Sequence, residues 1–419
     1  SSFDYTYDQL GQIVSVESHL GEWLYQYDLD GQLIDATFTP VDGALTAKHY
    51  SYQYDARGNR IADTENGTNR RYRSNELDQY IQAGAAQISY DDAGRLSYYR
   101  QGLDEFEFSY NHWGLLTDVE GRNPLQMGYG VAGDLQEVVT ADASYQFVPA
   151  PFQPRQVLRH QKNDSPPRRC HHAGFLRACE RGGYDAQGRP EGMLYFTYDL
   201  HGNVSEVTDE NGRILNRYGY GPYGNLLIRE EEVENHFTYL GGHGWRDQGD
   251  GLFYVQARHY FAPLGRFIQP DPSLLWGGTN FYAYALNDPI NLIDIDGRSP
   301  GAVLGGGVAA TGGNIVGDGA RGRWNTSAKS VSINIAVAAF SPWTGNAAGL
   351  LLDADNAAAI RDALPSLRDR AGQIDRELER ITGPNGGGAF TQCRSVYGCG
   401  GERRPGPGGG GPRPGGGGP

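Results

Sequence analysis

Four groups of residues in this chain are of types that could do chemistry. Cys170, His171, His172 and Cys179 offer the sulfur and nitrogen ligands that zinc takes. Their spacing fits no common structural zinc site, and the adjacent histidines would crowd a four-ligand set. Residues 151–183 therefore read as a surface insertion or an off-register stretch, and no metal or other cofactor is expected. His201, His236, His243 and His259 are possible bases by type, but no Ser/His/Asp motif surrounds them, so they read as packed or solvated side chains. Gly305-Gly306-Gly307 lacks the Lys and Ser/Thr that a phosphate-cradling loop needs. Asp271, in Pro270-Asp271-Pro272, and Asp294, in Asp294-Ile295-Asp296-Gly297, are carboxylates able to give or take a proton. From spacing alone each also reads as a turn residue, because Asp before Pro or Gly commonly hydrogen-bonds its own backbone.

The elements that would position these residues are legible in the composition. The 419 residues include 61 Gly and 27 Tyr, against 15 Phe and 6 Trp. Gly costs about 1 kcal/mol at each interior helical position, so this excess argues for short strands and tight turns rather than a helical bundle. The glycines show no three-residue period, which excludes collagen. Net charge is −14, which argues against nucleic-acid affinity for the chain as a whole. The charge is unevenly spread. Residues 300–419 hold 12 basic and 9 acidic residues, a net of +3, and the preceding 299 hold 24 and 41, a net of −17. Four cysteines are too few for a disulfide framework in a chain of this length. The chain opens on Ser1-Ser2 within a repeat and reads as the C-terminal part of a longer protein.

Internal repetition is the strongest signal. Tyr, usually Asp, two residues and Gly recur at Tyr7-Asp8…Gly11, Tyr27-Asp28…Gly31, Tyr54-Asp55…Gly58 and Tyr90-Asp91…Gly94. Weaker copies start at Tyr110 and Tyr129, and the pattern returns at Tyr184, Tyr198 and Tyr220. Tyr52 and Tyr54, two apart, share one face of a strand. Asp55 then nucleates a turn, Gly58 accepts positive φ, and a second strand leaves. Each copy is a β-hairpin. Lone hairpins are marginal, so the copies must stack side by side.

Tyr-Asp-x-x-Gly repeats resemble the YD repeats of the Rhs family, which includes bacterial Rhs polymorphic toxins, Tc toxin C components and teneurins. The likeness covers about residues 1–298. Its most specific part is an Rhs-repeat-associated core. That part runs from Gly251-Leu252-Phe253-Tyr254-Val255-Gln256-Ala257-Arg258-His259-Tyr260 through Leu264-Gly265-Arg266-Phe267-Ile268-Gln269-Pro270-Asp271-Pro272 to Asn287-Asp288-Pro289 and Asp294-Ile295-Asp296-Gly297. The resemblance implies a mainly β fold, with stacked hairpins forming part of a spiralling hollow β-shell. It sets out repeats over 1–236 (151–183 irregular) and a core over 237–298. Beyond them lies a variable, partly helical region over 299–383, in which residues 330–352 carry no charge and apolar three- and four-residue steps predict a helix over 350–381; a Gly/Pro-rich tail of low complexity, read as disordered, follows over 384–419.

The resemblance also implies a reaction. In many shells of this family two aspartates act as an intramolecular aspartic protease, and here they map to Asp271 and Asp294, with Arg258 as the orienting cation. Two neighbouring acids cannot both ionise easily, so one serves as acid and the other as base. The expected cut lies between Arg298 and Ser299. Ile295 stands where the family has Pro, Arg298 stands where it has Leu, and Asp296 adds a third carboxylate. The implied product is a secreted or surface-located bacterial shell that releases its own C-terminal cargo. Its implied partners are toxin-complex or secretion-system components and an immunity protein. The competing reading is a non-cleaving surface scaffold whose Tyr-rich strands bind carbohydrate.

Overall fold

In the computed structural model the chain divides into a unit Ser1–Leu350 and a unit Leu351–Pro419. The structure describes residues 2–302, apart from 44, 151, 152, 183, 186, 188, 274–278 and 299. The uncharged stretch 330–352, the expected helix over 350–381 and the Gly/Pro tail lie outside the described residues. No helix among the described residues is long and apolar enough to cross a membrane.

Almost everything described is antiparallel β-sheet in sequential order. Eight strands, from Phe3–Tyr7 to Tyr80–Ala83, form one sheet, and fourteen, from Gln87–Tyr90 to Leu226–Glu231, form another. Within each sheet every strand pairs with its chain neighbours, as expected of stacked hairpins. Strand Lys48–Tyr54 shows the local logic. Tyr50 and Tyr52 are buried on one face, Gln53 points to solvent, and the Tyr50 and Tyr52 rings stack at 6.4 Å.

The repeat turns share one construction. Asp8 Oδ1 accepts the N–H groups of Leu10 (2.8 Å) and Gln12 (2.9 Å), and the Gly11 N–H donates to the Asp8 carbonyl. Asp55, Asp91 and Asp199 do the same. Five residues after Asp8, Asp28, Asp91 and Asp199 the side chain is apolar and inward: Ile13, Leu33, Leu96 and Val204 are all at most 1% exposed, while after Asp55 the place is taken by the buried Arg60. The tyrosine that opens the next repeat then donates its phenolic hydrogen to that residue's carbonyl. Tyr27 bonds Ile13 (2.6 Å), Tyr54 bonds Leu33 (2.8 Å), Tyr110 bonds Leu96 (2.7 Å) and Tyr220 bonds Val204 (2.9 Å). The ladder slips by one at the same place, as between Gln26 and Tyr27, so the bulge leaves that carbonyl free for the hydroxyl. A Phe would pack equally well but leave it without this donor. This is why the repeat begins with Tyr.

Residues 151–183 depart from the expected insertion. Gln153–Lys162, Arg168–Ala173 and Phe175–Glu180 are consecutive strands of the fourteen-stranded sheet. The Tyr-Asp signal lapses because these strands turn without it, not because the sheet stops. Cys170 and Cys179 lie directly opposite one another and form a disulfide, with Cα atoms 4.1 Å apart. His160 lies beside both sulfurs. His171 is exposed, and the His172 Nε2 is 2.9 Å from the Val157 carbonyl. The bonded sulfurs leave no thiolate for zinc.

The remaining segment, from Phe237 onward, is short strands, turns and aromatic rings. A four-stranded sheet (Arg246–Asp247, Leu252–Val255, Arg258–Phe261 and Arg266–Phe267) carries the buried cluster of Trp245, Phe253, Tyr260, Phe267 and Tyr284. One face packs with the eight-stranded sheet; Leu252, Tyr254, Phe261 and Ile268 join the core of the fourteen-stranded one. The core also bonds to the repeat turns one by one. Asn291 Oδ1 accepts the Ile13 N–H, Asn287 donates to the Gly58 carbonyl, and Arg266 donates to that of Asp78. Tyr282 donates to the Gly94 carbonyl, and the Leu135 N–H donates to the Tyr254 hydroxyl. Gly94 shows the fit: its φ is +79°, and a Cβ there would lie 2.8 Å from the Tyr282 hydroxyl.

Candidate active site

Arg258 is the centre of the site. It opens the strand Arg258–Phe261, is 2% exposed, and stacks over the Phe267 ring at 3.5 Å. Its guanidinium reaches four groups from three chain segments. Nε donates to the Gly297 carbonyl (2.6 Å) and Nη1 to the Phe281 carbonyl (3.0 Å). Nη2 lies 2.9 Å from Asp271 Oδ2 and 3.1 Å from Asp294 Oδ2. The three residues expected to form the site, 36 positions apart at the extremes, therefore meet at one nitrogen.

Each aspartate is placed by its local structure. Asp271 follows the strand Arg266–Phe267 by four residues, and its N–H donates to the Phe281 carbonyl. Its Oδ1 accepts the N–H of Ser273 (2.7 Å) and touches the Ser273 hydroxyl (2.5 Å). Asp294 follows the strand Leu292–Ile293, and its Oδ1 accepts the N–H groups of Gly297 (2.9 Å) and Arg298 (3.1 Å). That turn needs Gly297: φ is +73°, and a Cβ would lie 2.8 Å from the Val255 carbonyl. Ile295, in place of the family's Pro, is buried in the aromatic cluster, and its carbonyl accepts the Trp245 indole N–H (3.2 Å).

The electrostatics follow from burial. Asp271 and Asp294 are 5% and 2% exposed. Burial is the largest influence on both carboxyls and raises both, with Arg258 opposing it; Asp294 is pushed up to about 7. Asp296, half-buried, raises them further. One guanidinium faces three carboxylates, so the group retains a proton far more readily than free aspartates do.

The peptide expected to be cut is held on both sides of Arg298. Its N–H faces Asp294 Oδ1 and Asp296 Oδ1 (3.2 Å), and its carbonyl oxygen lies 2.9 Å from the Ser273 hydroxyl. Ser299 lies outside the described residues. The histidines behave as packed side chains. His201 Nε2 meets the Ile290 carbonyl, His243 Nε2 meets the His201 carbonyl, and His236 sits against Tyr145 and Phe147. Sequence reasoning missed Ser273. The available signal was a hydroxyl two residues after Asp271, where an Asx turn folds it back onto the carboxylate.

A family model described as "Teneurin YD-shell" matches residues 38–290. The chain belongs to the YD-shell family. This YD shell is 26% identical over 333 residues to the "Double-stranded DNA deaminase toxin A" of Burkholderia cenocepacia, covering 72% of this chain and 23% of that one. It is 25% identical over 363 residues to "Toxin subunit YenC1" of Yersinia entomophaga (71% and 37%). It is 33% identical over 123 residues to the "tRNA3(Ser)-specific nuclease WapA" of Bacillus spizizenii (28% and 5%). The YD shell thus spans between a twentieth and about two fifths of these relatives. Among solved structures, the Photorhabdus luminescens Tc holotoxin pore matches with a TM-score of 0.53 at 19% identity, over 73% of this chain and 17% of that one. The crystal structure of TcdB2-TccC3-Cdc42 matches with a TM-score of 0.51 at 19% identity (71% and 17%). These two likenesses establish the fold.

Proposed function

We propose that this YD shell is the wall and core of a toxin-like protein that hydrolyses its own backbone after Arg298. The cut would free the segment beginning at Ser299 from covalent attachment. The observation that carries this reading is the double anchoring of Arg258. One guanidinium binds both candidate carboxylates and also the Gly297 carbonyl, one peptide before the bond in question. A purely structural ion pair has no need to grip that peptide.

The chemistry is that of an aspartic protease acting once. The ionised carboxyl takes a proton from water, whose oxygen adds to the Arg298 carbonyl carbon. The protonated carboxyl supplies a proton to the carbonyl oxygen, and the amine of Ser299 departs with a proton of its own. Effective molarity in a tethered substrate compensates for a weak nucleophile. By likeness to the named toxin relatives, the protein would act outside the producing cell with toxin-complex components, and an immunity protein would guard the producer.

Expression of the chain followed by a denaturing gel and intact-mass analysis tests the reading. Two fragments, 1–298 and 299–419, are expected. Asp271→Asn and Asp294→Asn should each leave a single band. A single intact band from folded wild-type protein would overturn the proposal in favour of the non-cleaving scaffold.

A further inference from the structure

We propose that Ser273 is a catalytic hydroxyl that relays a proton between Asp271 and the Arg298 carbonyl oxygen; this inference rests on the self-cleavage reading above. The geometry is specific. Ser273 Oγ lies 2.5 Å from Asp271 Oδ1 and 2.9 Å from the Arg298 oxygen, so it bridges the candidate acid and the bond to be broken.

Proton counting gives the bridge a direction. A serine hydroxyl has one hydrogen, and a peptide carbonyl has none to give. The contact with Arg298 therefore uses the serine's hydrogen. The short contact with Asp271 then requires a hydrogen from the carboxyl. Both bonds exist together only when Asp271 is protonated on Oδ1. Both carboxyls also face N–H donors: Asp271 those of Ser273 and Arg258, Asp294 those of Gly297, Arg298 and Arg258. The relay runs from the form in which Asp271, the carboxyl that touches the serine hydroxyl, carries the shared proton and Asp294 is the base.

The relay balances. Water adds to the Arg298 carbonyl carbon as its proton passes to Asp294. The carbonyl oxygen takes the hydrogen of Ser273, which takes that of Asp271, giving a gem-diol and an Asp271 carboxylate. On collapse the Arg298–Ser299 C–N bond breaks. Asp294 returns its proton to the departing nitrogen, and the diol returns one through Ser273 to Asp271. One water is consumed, and an acid and an amine result. Ser273 also meets the charge building on oxygen at the distance that an oxyanion donor needs.

The test uses the chain, time-resolved denaturing gels and two isosteric variants. Losing one such donor slows catalysis by about 10²–10³-fold, so Ser273→Val should cleave at least about 10²-fold more slowly than wild type. Ser273→Thr, of the same shape with the hydroxyl restored, should return to within about tenfold of wild type. Near-ultraviolet circular dichroism confirms that both fold. In wild type, cleavage should fail above neutrality as the acid loses its proton; in the slow Val variant that alkaline limb should flatten. Wild-type rates in Ser273→Val, with Asp271→Asn inert, would overturn the relay and leave self-cleavage standing. Equal slowing in folded Thr and Val variants would also overturn it. A folded wild type that never cleaves would remove the underlying reading and the relay with it.

Discussion

The phenolic hydroxyl of Tyr110 donates at 2.7 Å to the carbonyl of Leu96, the first inward residue after the preceding turn. Leu96 is fully buried, and its own N–H donates to the Ile268 carbonyl of the core. One repeat is thus fastened both to the next repeat and to the core through a single residue. Tyr110→Phe keeps the ring but removes the donor, and should destabilise the fold by about 1 kcal/mol, the usual net worth of such a bond. Urea denaturation would register this as a lower midpoint with unchanged slope. Tyr27 and Tyr110 lie in different sheets, so Tyr27→Phe and Tyr110→Phe should add.

Removing the shared cation should be far more costly than removing a turn bond. Arg258→Met leaves Asp271 and Asp294 buried without their guanidinium, which typically costs about 3–5 kcal/mol. The loss should be smaller at pH 5 than at pH 8, because burial already raises both carboxyls and protonation relieves them. Equal losses at the two pH values, measured by chemical denaturation, would contradict this assignment.

Self-cleavage should have its optimum on the acid side of neutrality. The coupled pair shares a proton on the acid side of neutrality, because burial raises both carboxyls. Above that the acid is lost, and at low pH both carboxyls are protonated and the base is lost. Cleavage time courses between pH 4 and pH 9 would show a bell, and a rate still rising at pH 9 would argue against carboxyl chemistry.

The buried histidines should draw stability down as pH drops below the ordinary histidine range. Burial holds His160, His243 and His259 down at about 3 and His236 at about 4. The unfolded chain takes up protons near 6.5 and the folded one does not, so stability rises with pH up to that point. Asp288 and Asp294, which burial pushes up to about 7, and Asp271 and Asp199, which it also raises, act in the opposite direction above about 4. The histidine share is read by comparing thermal unfolding at pH 5 and pH 7.5 with and without one of them. Replacing His259 with Phe should raise the midpoint at pH 5 relative to that at pH 7.5.

The disulfide should resist reagents until the sheet opens. Cys170 and Cys179 are 6% and 1% exposed. Native protein under mild reduction should take up no alkylating label at either position, as read by peptide mass. The cross-link closes a hairpin already held by strand pairing, so Cys170→Ala should cost no more than the usual 2–4 kcal/mol, roughly.

The sheets were legible in the sequence because their contacts are local. A turn residue, a glycine three positions later and an inward residue at the fifth position recur within one hairpin, and each strand pairs with its neighbour. The core was legible as a motif set but not as a reader of the turns. Asn291 and Ile13 are 278 residues apart, and no period links them. The strands within 151–183 were hidden because they form without the Tyr-Asp signal. Asp271, Asp294 and Arg258 meet as the family likeness implied, but a hydroxyl such as that of Ser273 acquires its meaning only from what folds against it.

Gly301–Ala302 pairs antiparallel with Leu292–Ile293, so the Arg298 peptide lies in the loop of a small hairpin. A nick in a hairpin loop does not itself part the strands. After scission the new ends would stay side by side, and the downstream piece would remain docked through backbone pairing. Bond breaking and departure are then separate events with separate clocks. Hydrolysis would arm the molecule, and a later pull or loosening would let the severed piece go.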